Sequence, residues 1–595
     1  MNTYYVGTTI GPVYAVIQKA RRPREIWMAS YMFSRIAQEM VNYLIKESTA
    51  RFCSPYDPDE IGQKIVGAGA YSDRLFFEVE AENETAVQGY VQAAMEEALK
   101  ILRDEMKEAI LKRLQDEKKQ TTGEETFGEE KCLAFLEQYI YQLSTVREKQ
   151  EGATIPMHEM TGDLDRLEAY APYKDEEKPG ESDYLLRYLN SDTLQKSRWV
   201  NDHNVTSRDL KQLAEAGKEK VEHQWQRYVA VVYADGDKMG SLLSKFSRAG
   251  SEEAIRSVSQ FLLERAKWNV NTVKAYGGMP IYFGGDDMFF IAPLYGMYKE
   301  DGQEKEQEIS IFRLIEKLSA GFDGAYQSIR ETLEKQEMKK QGNARNGKLL
   351  DALKDCKPSL SFGVSVCYHK YPLQMIMDMA RDALFREAKY AQWSGSKSKK
   401  AVQVHLRKHS GQESGILLSC WNDDGEESTY TRFNKLIEKN ADSLVLHALH
   451  WKIVEQFDLI ACILFETEGE ERTWRLREWF RNNFNEWIED ETGKPAPAEE
   501  NAEGEKKNPK QDFLEGMNRF LCLYADQLPK ITEPSEEEKK KKTEEELKEE
   551  REEAEKKRKN AMRKAVDGMF RMDEFLHTPV KHIKPSDQKA KEGKA

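Results

Sequence analysis

The chain has 595 residues and a formal net charge of −14, with 39% hydrophobic and 33% charged residues. This length corresponds to about three to four domains. The acidic balance argues against a protein that coats nucleic acid with its whole surface, although it allows local basic patches. No stretch approaches the roughly 20 apolar residues of a membrane span, and the N-terminus lacks the pattern of a signal peptide. We therefore expect a cytoplasmic protein.

Cysteine and histidine patterns exclude several kinds of site. The seven cysteines form no CxxC pair, which argues against a cysteine-based zinc site and fits a reducing compartment. The ten histidines form no HExxH motif and no His-Asp dipeptide, so a histidine-based metal hydrolase has no support. The sequence also lacks a GxSxG motif and a Walker A motif.

The first 118 residues alternate between strand and helix patterns. β-Branched and aromatic residues predict a strand over 3–10, and Pro12 suits the first turn of the helix that follows. A second strand is predicted over 74–79 and a long amphipathic helix over 85–118. We interpret 1–118 as an N-terminal palm-like domain. The polar stretch 119–220 contains helical patterns at 132–143 and 209–220, so we expect a helical linker domain.

Residues 221–411 show the strongest buried-strand signals in the chain. The predicted strands cover 227–233, 279–294 (two strands around a turn), 360–368 and 401–405, and the predicted helices cover 239–246, 251–273, 310–335 and 373–391. A polar loop is predicted at 336–347. This order is the βαββαβ order of a ferredoxin-like palm with one added strand.

The remaining residues, 412–595, are predicted to form a helical C-terminal domain. The pattern over 444–465 is an example of its helices. It contains two low-complexity segments, 494–511 and 534–564. The composition of 494–511 favours disorder, and that of 534–564 fits either a solvated helix with i,i+4 ion pairs or disorder. The predicted fold class is therefore α+β: two ferredoxin-like palm domains, a helical insertion and a helical C-terminal domain.

Two acidic turns carry the chemistry. Asp235 lies in the sequence ADGD at the end of a buried strand, and Asp286 and Asp287 lie in GGDD between two apolar strands. In a palm, the first strand and the hairpin are neighbours, so these carboxylates converge. Converging carboxylates repel each other unless a cation lies between them. Two Mg²⁺ or Mn²⁺ ions at such a site would activate an attacking hydroxyl and stabilise a leaving pyrophosphate.

Glycines and basic residues complete the predicted site. Gly236, Gly284 and Gly285 lack a Cβ, so their backbone can approach a triphosphate closely. The helix that starts at 239 also directs its N-terminal amides toward this region. Arg381, Arg386 and Lys389 lie on the helix over 373–391 and fit either phosphate contacts or a solvated basic face. The same two interpretations apply to the basic residues near the N-terminus (Lys19, Arg21, Arg22 and Arg24, with Trp27 and Tyr31 nearby) and to the run Lys397, Lys399 and Lys400.

Three segments resemble the large polymerase/cyclase subunit of type III CRISPR–Cas effector complexes, in particular its type III-B (Cmr) form. They are IGPVYAVIQKARRPREIWMASYMFS with YSDRLFFEV, then YVAVVYADGDKMG, and finally GGDDMFF with SFGVSV and MARDALFREAK. The segment YSDRLFFEV stands at the position where the family has a strand that contains Asn-Arg. The resemblance covers about residues 1–80 and 227–405, and its last part is also similar to diguanylate cyclases.

The resemblance implies a target-RNA-activated nucleotidyltransferase inside an RNA-guided antiviral complex, with other subunits, guide RNA and target RNA as partners. It implies ATP between two palm domains and a nucleotide second messenger as product. That product is cyclic oligoadenylate or, in relatives without an HD nuclease domain, an AMP conjugate of S-adenosylmethionine. By motif, Asp235 and Asp287 would bind metal with Asp286 assisting, Gly284 and Gly285 would approach the triphosphate, and Lys389 would bind phosphate.

Several departures from the family pattern leave alternatives open. Without a His-Asp pair we expect no HD nuclease activity, and the family's four-ligand zinc site is missing. Ser394-Gly395-Ser396-Lys397 replaces the usual Gly-Arg/Lys-Asn. A catalytically silent scaffold subunit is the alternative function, against which the clustered aspartates speak. A free-standing diguanylate cyclase is a third reading, against which the N-terminal palm-like segment and the large C-terminus speak.

Overall fold

The computed structural model describes residues 1–116, 140–150, 156–171, 198–205, 209–215, 223–299, 305–339, 344–395, 397–422, 427–439, 443–484, 509–531 and 542–578. The chain forms two compact units. The first comprises residues 1–213, 230–360 and 370–378, and the second 214–229, 361–369 and 379–595. Helices and strands are mixed throughout, which confirms the α+β class. None of the described helices is long and apolar enough to cross a membrane. The four-domain division drawn from the sequence stays a prediction.

The N-terminal part of the first unit contains four strands that form one antiparallel sheet in the order β2-β3-β1-β4. In chain order the elements are β1 (Asn2–Gly11), α1 (Val13–Lys19), α2 (Pro23–Glu47), β2 (Arg51–Ser54), β3 (Arg74–Ala81), α3 (Glu84–Asp116), β4 (Tyr141–Glu148), α4 (Met157–Ala169), α5 (Arg198–Asp202) and α6 (Leu210–Glu215). A short 3-10 helix covers Gly62–Lys64. This is the βαββαβ order predicted for a palm. Strand β1 is buried along most of its length because it has a neighbour on each side.

Helix α2 anchors this sheet with one of the largest buried side chains. Pro23 occupies the first turn, where its missing N–H costs no hydrogen bond. Trp27 is fully buried, stacks on Tyr31 with ring centroids 4.9 Å apart, and donates its indole N–H to the Gly67 carbonyl at 2.9 Å. The Trp27 ring is therefore a core element, which rules out its use as an exposed stacking platform.

The central elements follow the predicted order closely. They are β5 (Tyr228–Asp237), α7 (Met239–Ala249), α8 (Glu252–Ala275), β6 (Met279–Gly284), β7 (Asp287–Pro293), β8 (Tyr295–Tyr298), β9 (Gln307–Ser310), α9 (Ile311–Lys339), α10 (Ala344–Asp355), β10 (Ser359–Tyr368) and α11 (Leu373–Asp382). A 3-10 helix, Gln224–Arg227, precedes β5. Within the first unit, β6 and β7 form an antiparallel hairpin and β5 lies beside β7.

In the second unit, a small sheet precedes a series of helices. Helix α11 passes into a π-helical turn, Ala383–Glu387, and a 3-10 turn, Ala388–Tyr390. Then come β11 (Gln392–Trp393), β12 (Lys397–Ser398), β13 (Ala401–Arg407), β14 (Glu413–Ser419), α12 (Thr429–Ile437), α13 (Ser443–Glu455), α14 (Phe457–Glu466), α15 (Gly469–Asn483), α16 (Pro509–Gln527) and α17 (Glu544–His577). Strand β13 pairs parallel with residues 362–367 of β10 and antiparallel with β14.

Some element predictions were wrong. Residues 141–143, predicted helical, begin strand β4, and the rest of that predicted helix lies outside the described residues. Residues 413–419, in the predicted helical domain, form β14 because they pair with β13 along their whole length. The predicted loop at 336–347 is shortened from both sides by α9 and α10. The helical pattern over 444–465, by contrast, is confirmed as two helices, α13 and α14, that meet at Gln456.

The two low-complexity segments have different outcomes. Most of 494–511 lies outside the described residues, and α16 starts at Pro509. The second segment is helical from Glu544 onward. Its N-terminus has a capping box in which Thr543 and Glu546 exchange hydrogen bonds. Ion pairs at i,i+4 spacing, such as Lys557 with Glu553 at 2.7 Å, support the exposed part of the helix.

Replacing Trp27 by alanine should lower the free energy of unfolding by about 3–5 kcal/mol, the usual cost of removing a buried aromatic side chain. The loss combines the cavity with the hydrogen bond to Gly67. Denaturant titration of the purified protein measures it. Trp474→Ala is the matched control because Trp474 is 60% exposed, and we expect it to change the unfolding free energy by less than about 0.5 kcal/mol. Equal losses in the two variants would contradict this description of the core.

Candidate active site

Strand β5 places Asp235 beside the hairpin that β6 and β7 form. Residues Val229–Val232 are fully buried, as expected for a strand with a neighbour covering each face. The Tyr233 ring stacks on Phe289 of β7 with centroids 4.2 Å apart and nearly parallel planes. This cross-strand pair fixes β5 beside β7. Asp235, two residues after Tyr233 on the same face, therefore lies near the start of β7, where Asp287 stands.

The hairpin turn has the geometry that its glycines predict. Gly284 and Asp287 form the last strand pair, so the loop consists of Gly285 and Asp286 alone. Gly285 has φ of +63°. Positive φ at the first central residue is the type II′ pattern, in which glycine is preferred at this position. The tight turn places the Asp286 and Asp287 side chains at the tip of the hairpin.

The two acidic turns meet in space. A Cβ atom added to Gly236 would overlap the carboxylate of Asp286, so the ADGD turn touches the GGDD turn. The carboxyl groups of Asp235 and Asp287 lie within hydrogen-bonding distance of each other. The three predicted aspartates are thus brought together, as the sequence predicted from the adjacency of strand and hairpin.

This convergence has an electrostatic consequence. Burial of the carboxyl group, followed by the negative charges of Asp286 and Asp235, raises the pKa of Asp287 well above its ordinary value. Asp287 as a residue nevertheless presents an exposed surface. We therefore give the two neighbouring carboxylates more weight than burial in explaining the shift.

The donor set fits a divalent cation that shares its coordination with a ligand. Among the described residues, no group of three or more His, Cys, Asp or Glu side chains is arranged to hold a metal ion by itself. Mg²⁺ in nucleotide sites usually takes one or two carboxylates and completes its shell with phosphates and water. The close pair Asp235 and Asp287 meets that requirement, and Asp286 adds negative charge beside it.

A segment of the N-terminal domain lies against the hairpin. The Phe283 N–H donates to the Gly69 carbonyl at 3.0 Å, and Gly69 pairs with Tyr282 in a parallel bridge. Burial, followed by the charges of Asp73 and Asp287, raises the pKa of the Tyr282 phenol well above its ordinary value, and the Ser72 hydroxyl nearby donates to Asp73 Oδ1 at 3.2 Å. The phenol therefore keeps its proton. Residues near the N-terminus thus help to form the surroundings of the carboxylates.

A small pocket adjoins the turn on the side of helix α8. Apolar side chains such as Phe283 and Phe322 line it together with Asp286, Asp287 and two polar residues of α8. The Asn269 Oδ1 is buried and has no hydrogen-bond partner among the described residues; the same holds for Nε and Nη2 of Arg265. Burial lowers the pKa of Arg265 to about 10.

The other residues singled out in the sequence have varied surroundings. Asp237 is buried and accepts a hydrogen bond from the Ser359 hydroxyl at 3.0 Å, so it serves the fold. Arg24 is also buried and donates to the Val205 carbonyl at 2.6 Å. Lys389 lies on the 3-10 turn Ala388–Tyr390 of the second unit, and its phosphate role stays a prediction.

The remaining basic residues make local contacts. Arg386 forms an ion pair with Asp382 at 3.2 Å, and the Arg381 guanidinium lies 5.8 Å from the Phe385 ring centre. The ammonium groups of Lys397 and Lys400 lie 5.8 and 5.1 Å from the Trp421 ring centre. These contacts are compatible with either of the two interpretations given for the basic residues.

Sequence reasoning missed Tyr282, Ser72, Asn269 and Arg265 as neighbours of the carboxylates. For Tyr282 a signal was present, because a residue two positions before Gly284 on a strand shares its face. For the others no signal was present. Ser72 is separated from the hairpin by about two hundred residues, and the α8 side chains look like ordinary positions of an amphipathic helix.

Comparison with protein families gives two matches. Residues 228–397 match the family model described as Cas10/Cmr2, second palm domain, and residues 5–110 match CRISPR-associated protein Cmr2, N-terminal. The first match contains all three aspartates, and the second contains the segment that packs on the hairpin. A search among curated proteins finds no match.

Solved structures from two kinds of complex align with this chain. The apo state of type III-B Cmr-beta, solved by cryo-EM, aligns with a TM-score of 0.51 and 10% identity, over 87% of this chain and 81% of that chain. Cmr-beta bound to cognate target RNA aligns with a TM-score of 0.49 and 10% identity, over 87% of this chain and 83% of that chain. The Csm1–Csm4 cassette in complex with cA4 aligns with a TM-score of 0.37 and 10% identity, over 88% of this chain and 70% of that chain. The first alignment indicates a shared fold.

Replacing Asp287 by asparagine should stabilise the metal-free protein at pH 7. A carboxyl whose pKa is raised on folding binds its proton more tightly in the folded state, so its contribution to stability falls as pH rises above about 4. Asparagine does not ionise, so the variant does not lose this stability as the pH rises. Because Asp287 is exposed, we expect about 1 kcal/mol, or a melting temperature about 2–4 °C higher, in metal-chelated buffer. Unchanged or lower melting at pH 7, with no change in pH dependence, would contradict the proposed carboxylate repulsion.

Proposed function

We propose that the chain, whose residues 228–397 and 5–110 match the family models of the Cas10/Cmr2 second palm domain and the Cmr2 N-terminal domain, is a nucleotidyltransferase of a type III CRISPR effector complex. It would use ATP and make a nucleotide second messenger when the complex binds target RNA. Its partners would be the other subunits of the complex, guide RNA and target RNA, and the complex would be cytoplasmic.

The observation that carries this proposal is the meeting of the two acidic turns. Asp286 touches Gly236, and Asp235 lies within hydrogen-bonding distance of Asp287. A subunit that only positions RNA and partner proteins gains nothing from carboxylates gathered so that Asp286 and Asp235 raise the pKa of Asp287. A divalent cation and a triphosphate would relieve this repulsion, and both belong to nucleotidyl transfer.

Each residue has a defined task in the proposed site. Asp235 and Asp287 would hold one or two Mg²⁺ or Mn²⁺ ions, and Asp286 would add charge beside them. When bound, these ions would lower the pKa of the attacking hydroxyl and neutralise charge on the leaving pyrophosphate. The exposed backbone of Gly285 has no atoms within 4 Å of its missing Cβ, so it leaves room for a triphosphate. Lys389 is the phosphate-binding residue that the motif implies.

The reaction is an in-line substitution at the α-phosphate of ATP. A ribose hydroxyl oxygen of the acceptor forms a bond to this phosphorus, the bond to the bridging oxygen breaks, and pyrophosphate leaves with the electron pair. With a second adenosine nucleotide as the acceptor, repetition and ring closure give cyclic oligoadenylate. With S-adenosylmethionine as the acceptor, the product is its AMP conjugate. The three aspartates would act in the same way in both cases.

Product analysis by mass spectrometry tests the proposal. The purified complex with guide and cognate target RNA receives ATP and Mg²⁺ or Mn²⁺, with and without S-adenosylmethionine, and a parallel sample receives GTP alone. We expect a target-dependent oligoadenylate or S-adenosylmethionine conjugate from ATP. Asp286→Ala/Asp287→Ala should reduce its formation by about 10³-fold or more, since this change removes the carboxylates beside the reacting phosphate.

The matched control is Glu552→Ala/Glu553→Ala on the exposed part of α17, which changes the charge by the same amount far along the chain. It should keep full product formation. Absence of any target-dependent product in the unmodified complex would reject the enzyme and leave the scaffold role. A product that persists in the Asp286/Asp287 variant would reject the proposed site.

A further inference from the structure

Two consecutive lysines after strand β12 have a left-handed backbone. Lys399 has φ of +59° and Lys400 has φ of +47°. This conformation is uncommon for lysine, because the Cβ atom crowds the backbone, and glycine or asparagine would adopt it with less strain. Strained backbone of this kind persists where the surrounding structure over-determines it, and it clusters at functional sites. Lysine at both positions therefore indicates a use for the two ammonium groups.

Hydrogen bonds to the two lysine carbonyls hold this backbone in place. The Lys399 carbonyl accepts the indole N–H of Trp393 at 2.9 Å and that of Trp421 at 3.3 Å. The Lys400 carbonyl accepts the Cys420 N–H at 2.9 Å. The left-handed conformation is thus fixed by the fold of the second unit, so both lysine side chains start from fixed points on its surface, where each residue is partly exposed.

The two lysines adjoin a turn that exposes aromatic rings. The Lys399 N–H donates at 2.8 Å to the carbonyl of Ala391, the residue that follows this turn. Within the turn, Leu384 is fully buried, whereas Phe385 is 44% and Tyr390 is 73% exposed. An aromatic ring that faces water can stack on an unpaired base, and such stacking tolerates any base because every base has a π-face.

This part of the chain is basic although the whole chain is acidic. Residues 381–400 have a formal charge of +4, whereas the full chain has −14. A local positive surface of this kind attracts an anionic ligand. Cations also lie against aromatic rings here: the Arg381 guanidinium contacts Phe385, and the ammonium groups of Lys397 and Lys400 contact Trp421. Basic groups beside exposed rings are the combination found in surfaces that bind single-stranded nucleic acid.

We propose that the face formed by Phe385, Tyr390, Lys399 and Lys400 binds single-stranded RNA. The two lysines bind its phosphates, and the two rings stack on its unpaired bases. A single strand fits this face because it offers consecutive bases together with phosphates, whereas a duplex keeps its bases paired and a free nucleotide offers one base to two rings. This inference rests on the RNA partners proposed above and not on the proposed chemistry.

Fluorescence anisotropy with a labelled single-stranded oligouridylate and the purified full-length chain tests the lysines, in a salt series without ATP or divalent cations. Lys399→Asn/Lys400→Asn removes both charges and suits the left-handed backbone, so the variant should melt no lower than the unmodified chain. We expect its RNA affinity to fall about ten-fold at physiological salt. The slope of log affinity against log salt should decrease by about 1.4, since each phosphate contact of a single strand contributes about 0.7.

Tyr390→Ala tests the stacking in the same assay. Loss of one stacked base should lower the RNA affinity by about ten-fold and leave the salt slope unchanged, because no phosphate contact is removed. The matched control is Tyr170→Ala, which removes a ring that is 87% exposed in the first unit. This control should bind RNA as the unmodified chain does.

The charge-matched control for the lysines is Lys556→Asn/Lys557→Asn on the exposed part of α17. RNA affinities of the Lys399/Lys400 and Tyr390 variants equal to those of their controls would overturn the inference, as would an unmodified chain that does not bind the oligouridylate. ATP binding is measured in parallel. A Lys399/Lys400 variant that loses affinity for ATP and keeps its affinity for RNA would assign the lysines to a nucleotide and also overturn the inference.

Discussion

Mutual repulsion among Asp235, Asp286 and Asp287 is the constraint on which the rest of the site depends. Three carboxylates in contact cost free energy, and a folded chain keeps them together only where other interactions over-determine their position. Here the stacked rings of Tyr233 and Phe289 fix strand against strand, and a two-residue turn fixes the hairpin tip. The repulsion is removed when a divalent cation is shared between the acids. A site of this kind is therefore held ready for its ligand by the fold.

The glycines around the acids show how little space this arrangement leaves, and each has its own physical reason. Gly236 is required because the Asp286 carboxylate occupies the place of its side chain. Gly284 is required because the Tyr282 phenol does so. Gly285 is required by its positive φ and has open space around it. The sequence pattern suggested one common purpose, close approach to a triphosphate. At Gly285 the missing Cβ faces open space, and the approach of Gly236 and Gly284 to a triphosphate stays a prediction.

How much of the structure can be predicted from the sequence depends on whether the interactions involved are local or join residues that are distant along the chain. The strand ending in ADGD and the GGDD hairpin were predicted well because a buried apolar run and a tight turn are local signals. Strands β4 and β14 were missed because these segments become strands only through pairing with β1 and β13. The helix at Glu544 was left open because composition alone does not distinguish an ion-paired helix from a disordered chain. Ser72 and Tyr282 meet only through the tertiary fold, which no local pattern records.

In the proposed reaction, the choice of acceptor is made outside the acidic turns. Transfer to an adenosine nucleotide and transfer to S-adenosylmethionine use the same donor, the same phosphorus and the same leaving group. The aspartates therefore cannot distinguish the two. Discrimination requires polar groups that a correct acceptor satisfies and a wrong one leaves unpaired. Buried polar atoms without partners are costly, so they are retained where water or a ligand completes them. Asn269 and Arg265, which line the pocket beside Asp286, are the described residues near the turn that carry such atoms. Selectivity thus depends on the walls of the site, while its carboxylates supply a chemistry common to both products.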